Sequence, residues 1–219
     1  MLYDLSPKDF EDTAAAVVAA CAQAGAARRA MLLAEAGLLG VIAPDAVGGL
    51  DLPLRFAVPV VSAAGAGLLG YPLIETLLLA RALASVDPDT AAAICAGTLR
   101  VTIAWSGSAE DGIVGQAPMG AEADRILVFQ ADGRALLIDP QGRAQAESAW
   151  DLELPCATIP STGPLDGILL DATTVTTVRA EADIRRSALI LGSAQACLSQ
   201  AARYAQERVP FGRPLSAYQ

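Results

Sequence analysis

The chain has no histidine and a single lysine, Lys8, among its 219 residues. The first absence removes every catalytic scheme built on an imidazole, the Ser–His–Asp triad included, and takes away the commonest zinc ligand. Its four cysteines, Cys21, Cys95, Cys156 and Cys197, lie far apart without any C-x-x-C spacing, which weighs further against a metal site. Positive charge is short as well. With a net charge of −9, a nucleic-acid partner has no electrostatic footing. No apolar run is long enough for a membrane span, because the strongest one, residues 66–80, is interrupted by Pro72 and Glu75. The opening MLYDLSPKDFED is acidic where an export signal is basic and then apolar, so the expected location is the cytoplasm. Aromatics make up only 5% of a chain that is 53% hydrophobic. Alanine supplies much of that fraction, which favours helices in close contact and leaves apolar surface for subunit association.

The residues that are present fall into three stretches. Residues 1–98 read as a helical N-terminal domain. Ser6-Pro7 marks a helix start, with Ser6 as cap and Pro7 in the first turn. Apolar residues then recur at helical spacing, with Gly25 as a break. Pro44 and Gly48-Gly49 demand a loop. A second helical block covers 55–84, broken near Gly70 and Pro72, and DPDTAAAIC supplies a further capped helix. The apolar helices around Leu68 to Leu79 could line a ligand tunnel, although such a run is more often ordinary core. Residues 99–179 read as a small antiparallel β domain: short β-branched runs separated by Gly, Pro and Asp, with a hairpin turn at Ala131-Asp132-Gly133. From 180 to 207 the helical pattern returns without a proline. Ile184, Ser187, Leu191, Ala194, Leu198, Ala201 and Ala205 form a narrow stripe at alternating spacings of three and four. A helix of that length, about 40 Å at ~1.5 Å per residue, needs partner helices from elsewhere. The fold class is therefore α+β: a helical domain, a β domain and, in 180–219, the first helix of a C-terminal helical domain.

That order, with these residues, resembles the acyl-CoA dehydrogenase family. Three stretches carry the likeness: LLAEAGLLGVIAPDAVGGLDLP, the β segment closing in LLDATTVTTV before a long helix, and YAQERVPFGRPLSAYQ, in which Arg208, Phe211, Gly212 and Gln219 fall at the family's spacing. The resemblance implies a C-terminal four-helix bundle of which only the first helix is present, so a longer protein is expected. It also implies FAD, shared with a partner subunit, and an acyl-CoA substrate. Arg208 would reach the cofactor's pyrophosphate, Gly212 would let the backbone approach, Phe211 would pack on the cofactor or anchor the turn, and Gln219 would serve its adenosine or ribitol side. Read without the family, Arg208 ends a helix favourably, Pro210 stops it and Phe211 is core.

Other family features are missing. The family's Thr-Glu-Pro and Gly-Ser-Asp pattern and its Trp-Ile-Thr segment have no counterpart in TIAWSGSAEDGIVGQAPMGAEADRILVF, and the loop from Ser106 to Gly120 reads as remodelled. Trp105 could stack on a ring, although a lone Trp in a β run is more often core. Dehydrogenation needs a carboxylate over the α carbon of the thioester. One family position for it, counted back from Arg208, is Ala182 here, and Glu181 and Asp183 on either side read as helix N-terminal carboxylates. No catalytic residue is assigned. The resemblance thus implies a non-catalytic subunit of a hetero-oligomer with another acyl-CoA dehydrogenase subunit, lending FAD contacts across an interface. Two alternatives stand beside it: a complete homo-oligomeric enzyme with its base beyond residue 219, and a flavin-free scaffold of the same fold.

Overall fold

A computed structural model describes residues 6–147, 151–161, 163 and 165–218. Five helices come first: α1 (Pro7–Cys21), α2 (Ala26–Glu35), α3 (Ala57–Ala66), α4 (Leu73–Leu83) and α5 (Pro88–Cys95). Their starts follow from side-chain chemistry. The Ser6 hydroxyl accepts from the Asp9 N–H while the Asp9 carboxylate accepts from the Ser6 N–H, closing a capping box, and Asp87 accepts from the Thr90 N–H ahead of α5. Gly25 separates α1 from α2 as the sequence reading expects. Helix α4 is buried on nearly every face, from Leu73 through Ala80, the mark of a helix at the centre of a domain. Its first turn, with Leu68 and Leu69 before it, borders a cavity. Leu68 is exposed and so is not core.

Seven strands follow: β1 (Val101–Ala104), β2 (Ile113–Pro118), β3 (Arg125–Phe129), β4 (Ala135–Ile138), β5 (Gln145–Ala146), β6 (Cys156–Pro160) and β7 (Gly167–Leu170). They form two sheets, one ordered β1-β3-β4-β7 and the other β2-β6-β5. Every pairing is antiparallel except β1 with β3, which is parallel. The expected hairpin joins β3 to β4, and Gly133 takes the positive φ its turn requires. Alternation decides the two faces of the larger sheet. Ile103, Leu127 and Phe129 join the core shared with the helices, while Ala104, Ile126 and Val128 join Val114, Ala117 and Ile159 in a second core between the sheets. A sheet covered on both sides has strands that read as nearly continuous apolar runs, as RILVF and ALLI do.

The last element, α6, runs from Ala172 to Glu207, 36 residues and about 54 Å at ~1.5 Å each. It starts well before residue 180, because Asp171 caps the Thr174 N–H and ends the preceding strand. All of TTVTTV is thus helix, where its β-branched residues read as strand. The early start corrects a second expectation. Glu181 and Asp183 are mid-helix residues and not N-terminal carboxylates. Glu181 pairs with Arg81 on α4 at 2.6 Å and with the fully buried Arg185 one turn on at 2.9 Å.

The buried face of α6 is Val175, Val178, Ala182, Arg185, Ala188 and Gly192. It lies on α3 at a spacing that only glycine permits: a Cβ on Gly192 would fall on the Ser62 carbonyl, and one on Gly65 on the Leu189 carbonyl. The Ser193 hydroxyl donates to the Gly65 carbonyl at 2.9 Å across the same contact. The stripe picked out by periodicity points elsewhere. Ile184, Leu191 and Leu198 are 46%, 57% and 72% exposed, so its partners are not among the described residues. None of the described helices is long and apolar enough to cross a membrane.

Candidate functional site

Three elements converge on one cavity of about 630 Å³: the end of α3 with the first turn of α4, the β1–β2 region, and the middle of α6. Its most distinctive group is Glu75, in the first turn of α4 and 6% exposed. The indole N–H of Trp105, just past the end of β1, donates to Glu75 Oε1 at 2.8 Å. Burial pushes the Glu75 carboxyl above its ordinary range, and the Trp105 hydrogen bond and the charge of Arg186 oppose that only in part.

Trp105 is held on three sides. The Arg186 guanidinium sits 3.8 Å from the ring centroid, Phe129 packs against it at 5.8 Å, and Glu75 takes its N–H. Two turns earlier on α6, Arg179 covers Phe129 at 3.8 Å in the same manner. The helix thus lays two arginines, seven residues apart, on two aromatics of the larger sheet. Glu147 and Asp151 also line the cavity, and the half-buried Cys156 thiol is pushed up by burial first and then by Glu147, Glu75 and Asp151. A buried Arg29 braces the region from behind, donating to the carbonyls of Cys21 and Gly70 and pairing with Glu153 at 2.7 Å.

The loop after Trp105 closes on itself. Ser106 and Gly115 exchange backbone hydrogen bonds, the Ser108 N–H donates to the Asp111 carboxylate at 2.7 Å, and Glu110 accepts from the Ala131 N–H. These donors are used within the chain.

Of the residues assigned to the cofactor, Arg208 and Gly212 are not among those lining the cavity. Arg208 is the exposed C-terminal cap of α6, with its guanidinium 5.6 Å from the Tyr204 ring and its N–H donating to the Tyr204 carbonyl. Gly212, at φ +85°, closes the short Pro210–Gly212 turn, and nothing stands within 4 Å of where a Cβ would be. Phe211 lies in that turn, although its side chain is outside the described set, as is Gln219 altogether. An exposed guanidinium fork four residues before an open glycine backbone has the chemistry to meet an anionic group such as a diphosphate. Ala182 is fully buried and has no group to move a proton. No cluster of three metal-ligating side chains occurs among the described residues.

Sequence reasoning missed Glu75 and Arg186. Glu75 had a signal, as the only acidic residue within LIETLLLARAL. Arg186 had none, being one of several arginines on a polar-faced helix. Trp105, read as more often core, is both: it packs on Phe129 and lines the cavity.

Comparison with known proteins agrees with this architecture. No family model matches the chain. A curated relative, acyl-CoA dehydrogenase IpdE2 of Mycobacterium tuberculosis, is 28% identical over 232 aligned positions, covering 96% of this chain and 67% of that protein. One chain of the ChsE4–ChsE5 complex from the same organism superposes with a TM-score of 0.79 at 21% identity, over 100% of this chain and 72% of that one. The chain is thus similar in sequence to an acyl-CoA dehydrogenase and has the fold of that family's solved structures. A glutaryl-CoA dehydrogenase from Mycobacterium smegmatis, solved in complex with FADH2, shares the fold at a TM-score of 0.74 and 16% identity, over 100% of this chain and 70% of that one. The α, β, α order expected for an acyl-CoA dehydrogenase is therefore the order found.

Proposed function

We propose that this chain takes part in the FAD-dependent α,β-dehydrogenation of acyl-CoA thioesters as a non-catalytic subunit. It pairs with another acyl-CoA dehydrogenase subunit and contributes Arg208, Phe211, Gly212 and Gln219 to FAD across the interface. The flavin supplies the hydride acceptor. This chain's residues bind and orient it from the diphosphate side. The observation that carries the reading is the split along α6. Arg208 and Gly212 are exposed at its far end and able to meet an anion from outside. Toward the body of the protein the same helix presents a buried Ala182, Trp105 is already capped by Arg186, and the Ser106 and Ser108 N–H groups of the adjoining loop are bonded within the chain. The similarity to a chain of the ChsE4–ChsE5 complex supports a two-gene assembly.

Visible absorption tests it. The full-length protein is purified alone and again after co-expression with a neighbouring acyl-CoA dehydrogenase gene. Flavin colour only in the co-purified complex, reduced by Arg208→Ala, is the expected result. Colour in the lone protein would establish instead a self-sufficient homo-oligomeric enzyme, and colour in neither would leave a flavin-free scaffold of the same fold.

A further inference from the structure

Buried polar atoms in folded proteins nearly always have a hydrogen-bond partner, so two without one on the same cavity call for a reason. That cavity lies on the β domain, holds about 490 Å³ and shares no lining residue with the one at Glu75. The hydroxyl of Ser161, a residue 4% exposed, and the side-chain oxygen of Gln130 are both buried, and neither has a partner among the described residues. Backbone contacts bring these residues together. Ser161 follows β6 and donates its N–H to the Gly112 carbonyl at 2.9 Å, while Gln130 follows β3. Glu110, two residues before Gly112, reaches the residue after Gln130 and accepts from the Ala131 N–H at 3.0 Å. Leu136 and Leu165 give the same cavity an apolar wall.

We infer that this cavity binds a primary alkylammonium group, the end of a lysine side chain or of a free amine. An ammonium carries three N–H donors and no acceptor, and the cavity supplies three side chains able to accept: the Gln130 amide, the Ser161 hydroxyl and the Glu110 carboxylate. The lone hydroxyl of an alcohol brings one donor to the same three groups. Charge selects the same class. Among the described residues lining the cavity Glu110 is the only charged one, and the chain as a whole carries a net charge of −9. A carboxylate or phosphate would therefore meet Glu110 without a cation to offset it. Leu136 and Leu165 take the methylene stem, which packs on apolar surface while the charged head seeks its acceptors. The site uses no residue assigned to flavin and does not rest on the proposed function.

The test is a magnetic-resonance titration of the isotope-labelled full chain at neutral pH with butylammonium, butanol and butyrate. The Gln130 side-chain amide and the Gly112 backbone amide serve as reporters. Butylammonium should shift both saturably and bind at least about tenfold more tightly than butanol, the worth of one charge-assisted hydrogen bond, while butyrate shifts neither. Glu110→Gln keeps an oxygen for the Ala131 N–H and removes the charge. It should weaken butylammonium about tenfold and leave butanol unchanged. Ser161→Ala should weaken butylammonium about fivefold, and because it deletes a hydroxyl without a partner it should unfold in urea no earlier than its parent. Equal affinity for butylammonium and butanol, or variants that bind butylammonium as tightly as the parent, overturns the inference. An acetylated lysine methylamide separates the two sources. Binding at least as tight as that of butylammonium assigns the site to a lysine of a partner protein, and weaker binding assigns it to a free amine. Flavin colour of the co-expressed complex is a separate readout, so failure here leaves the proposed function untouched, and the reverse also holds.

Discussion

The two halves of α6 are built from similar residues and behave differently. From Ala172 to Ser193 the helix is fitted to α3 and α4 through Gly192 and Gly65, through Ala182 and Ala188, and through the Arg81–Glu181–Arg185 cluster. From Cys197 onward nearly every side chain is exposed, Leu198 and Tyr204 included. Composition does not separate them, since both halves are rich in alanine and carry arginine. Their difference lies in whether a neighbour offers a groove. Small residues become a packed face only where a second glycine-bearing helix approaches, and the same residues without that helix make a bare apolar surface.

That contrast can be broken or sharpened by substitution, read by urea unfolding of the 219-residue chain. The largest effect is expected at Gly65→Val, where a side chain must enter the Leu189 backbone; about 3 kcal/mol or more should be lost. Removing the charge at the centre of the fitted half, Glu181→Ala, strands the buried Arg185 and should cost about 3 kcal/mol. Next comes a pH effect on the cavity wall. Burial holds the Glu75 carboxyl above its ordinary value of 4.5, so its contribution is whole below that pH and is lost as pH rises through the folded value. Melting temperature should therefore fall with rising pH above 4.5 more steeply in the parent than in Glu75→Gln. Asp171→Ala removes the cap that starts α6 and should cost about 1 kcal/mol. On the bare half, Leu198→Glu should change the stability of the chain by less than about 0.5 kcal/mol. A loss there as large as at Gly65 would mean that the exposed stripe is covered within the isolated protein.

The same contrast shows where sequence reasoning reached and where it stopped. Helix starts at Ser6 and Asp87, the break at Gly25 and the turn at Gly133 were legible because each rests on one residue's local chemistry. Arg208, Phe211, Gly212 and Gln219 were legible as a spacing. Their role is a matter for the flavin experiment. The start of α6 was misplaced because threonine and valine favour strands in isolation, and a single aspartate cap with tertiary packing overrode that preference. The stripe at Ile184, Leu191 and Leu198 was a sound helical period with no information about which face meets the body of the protein.

The sequence by itself determined the order of helices and strands, the absence of imidazole chemistry and the resemblance to the acyl-CoA dehydrogenases. Each of these rests on residue identity or on spacing along one segment. Only the tertiary structure decided that Glu75, Trp105 and Arg186 meet around one cavity, because those contacts join α4, the end of β1 and α6 across spans that no local pattern encodes. A hydrogen bond between residues thirty positions apart, and an arginine resting on a ring eighty-one positions earlier, exist only once the helices have packed on the sheet.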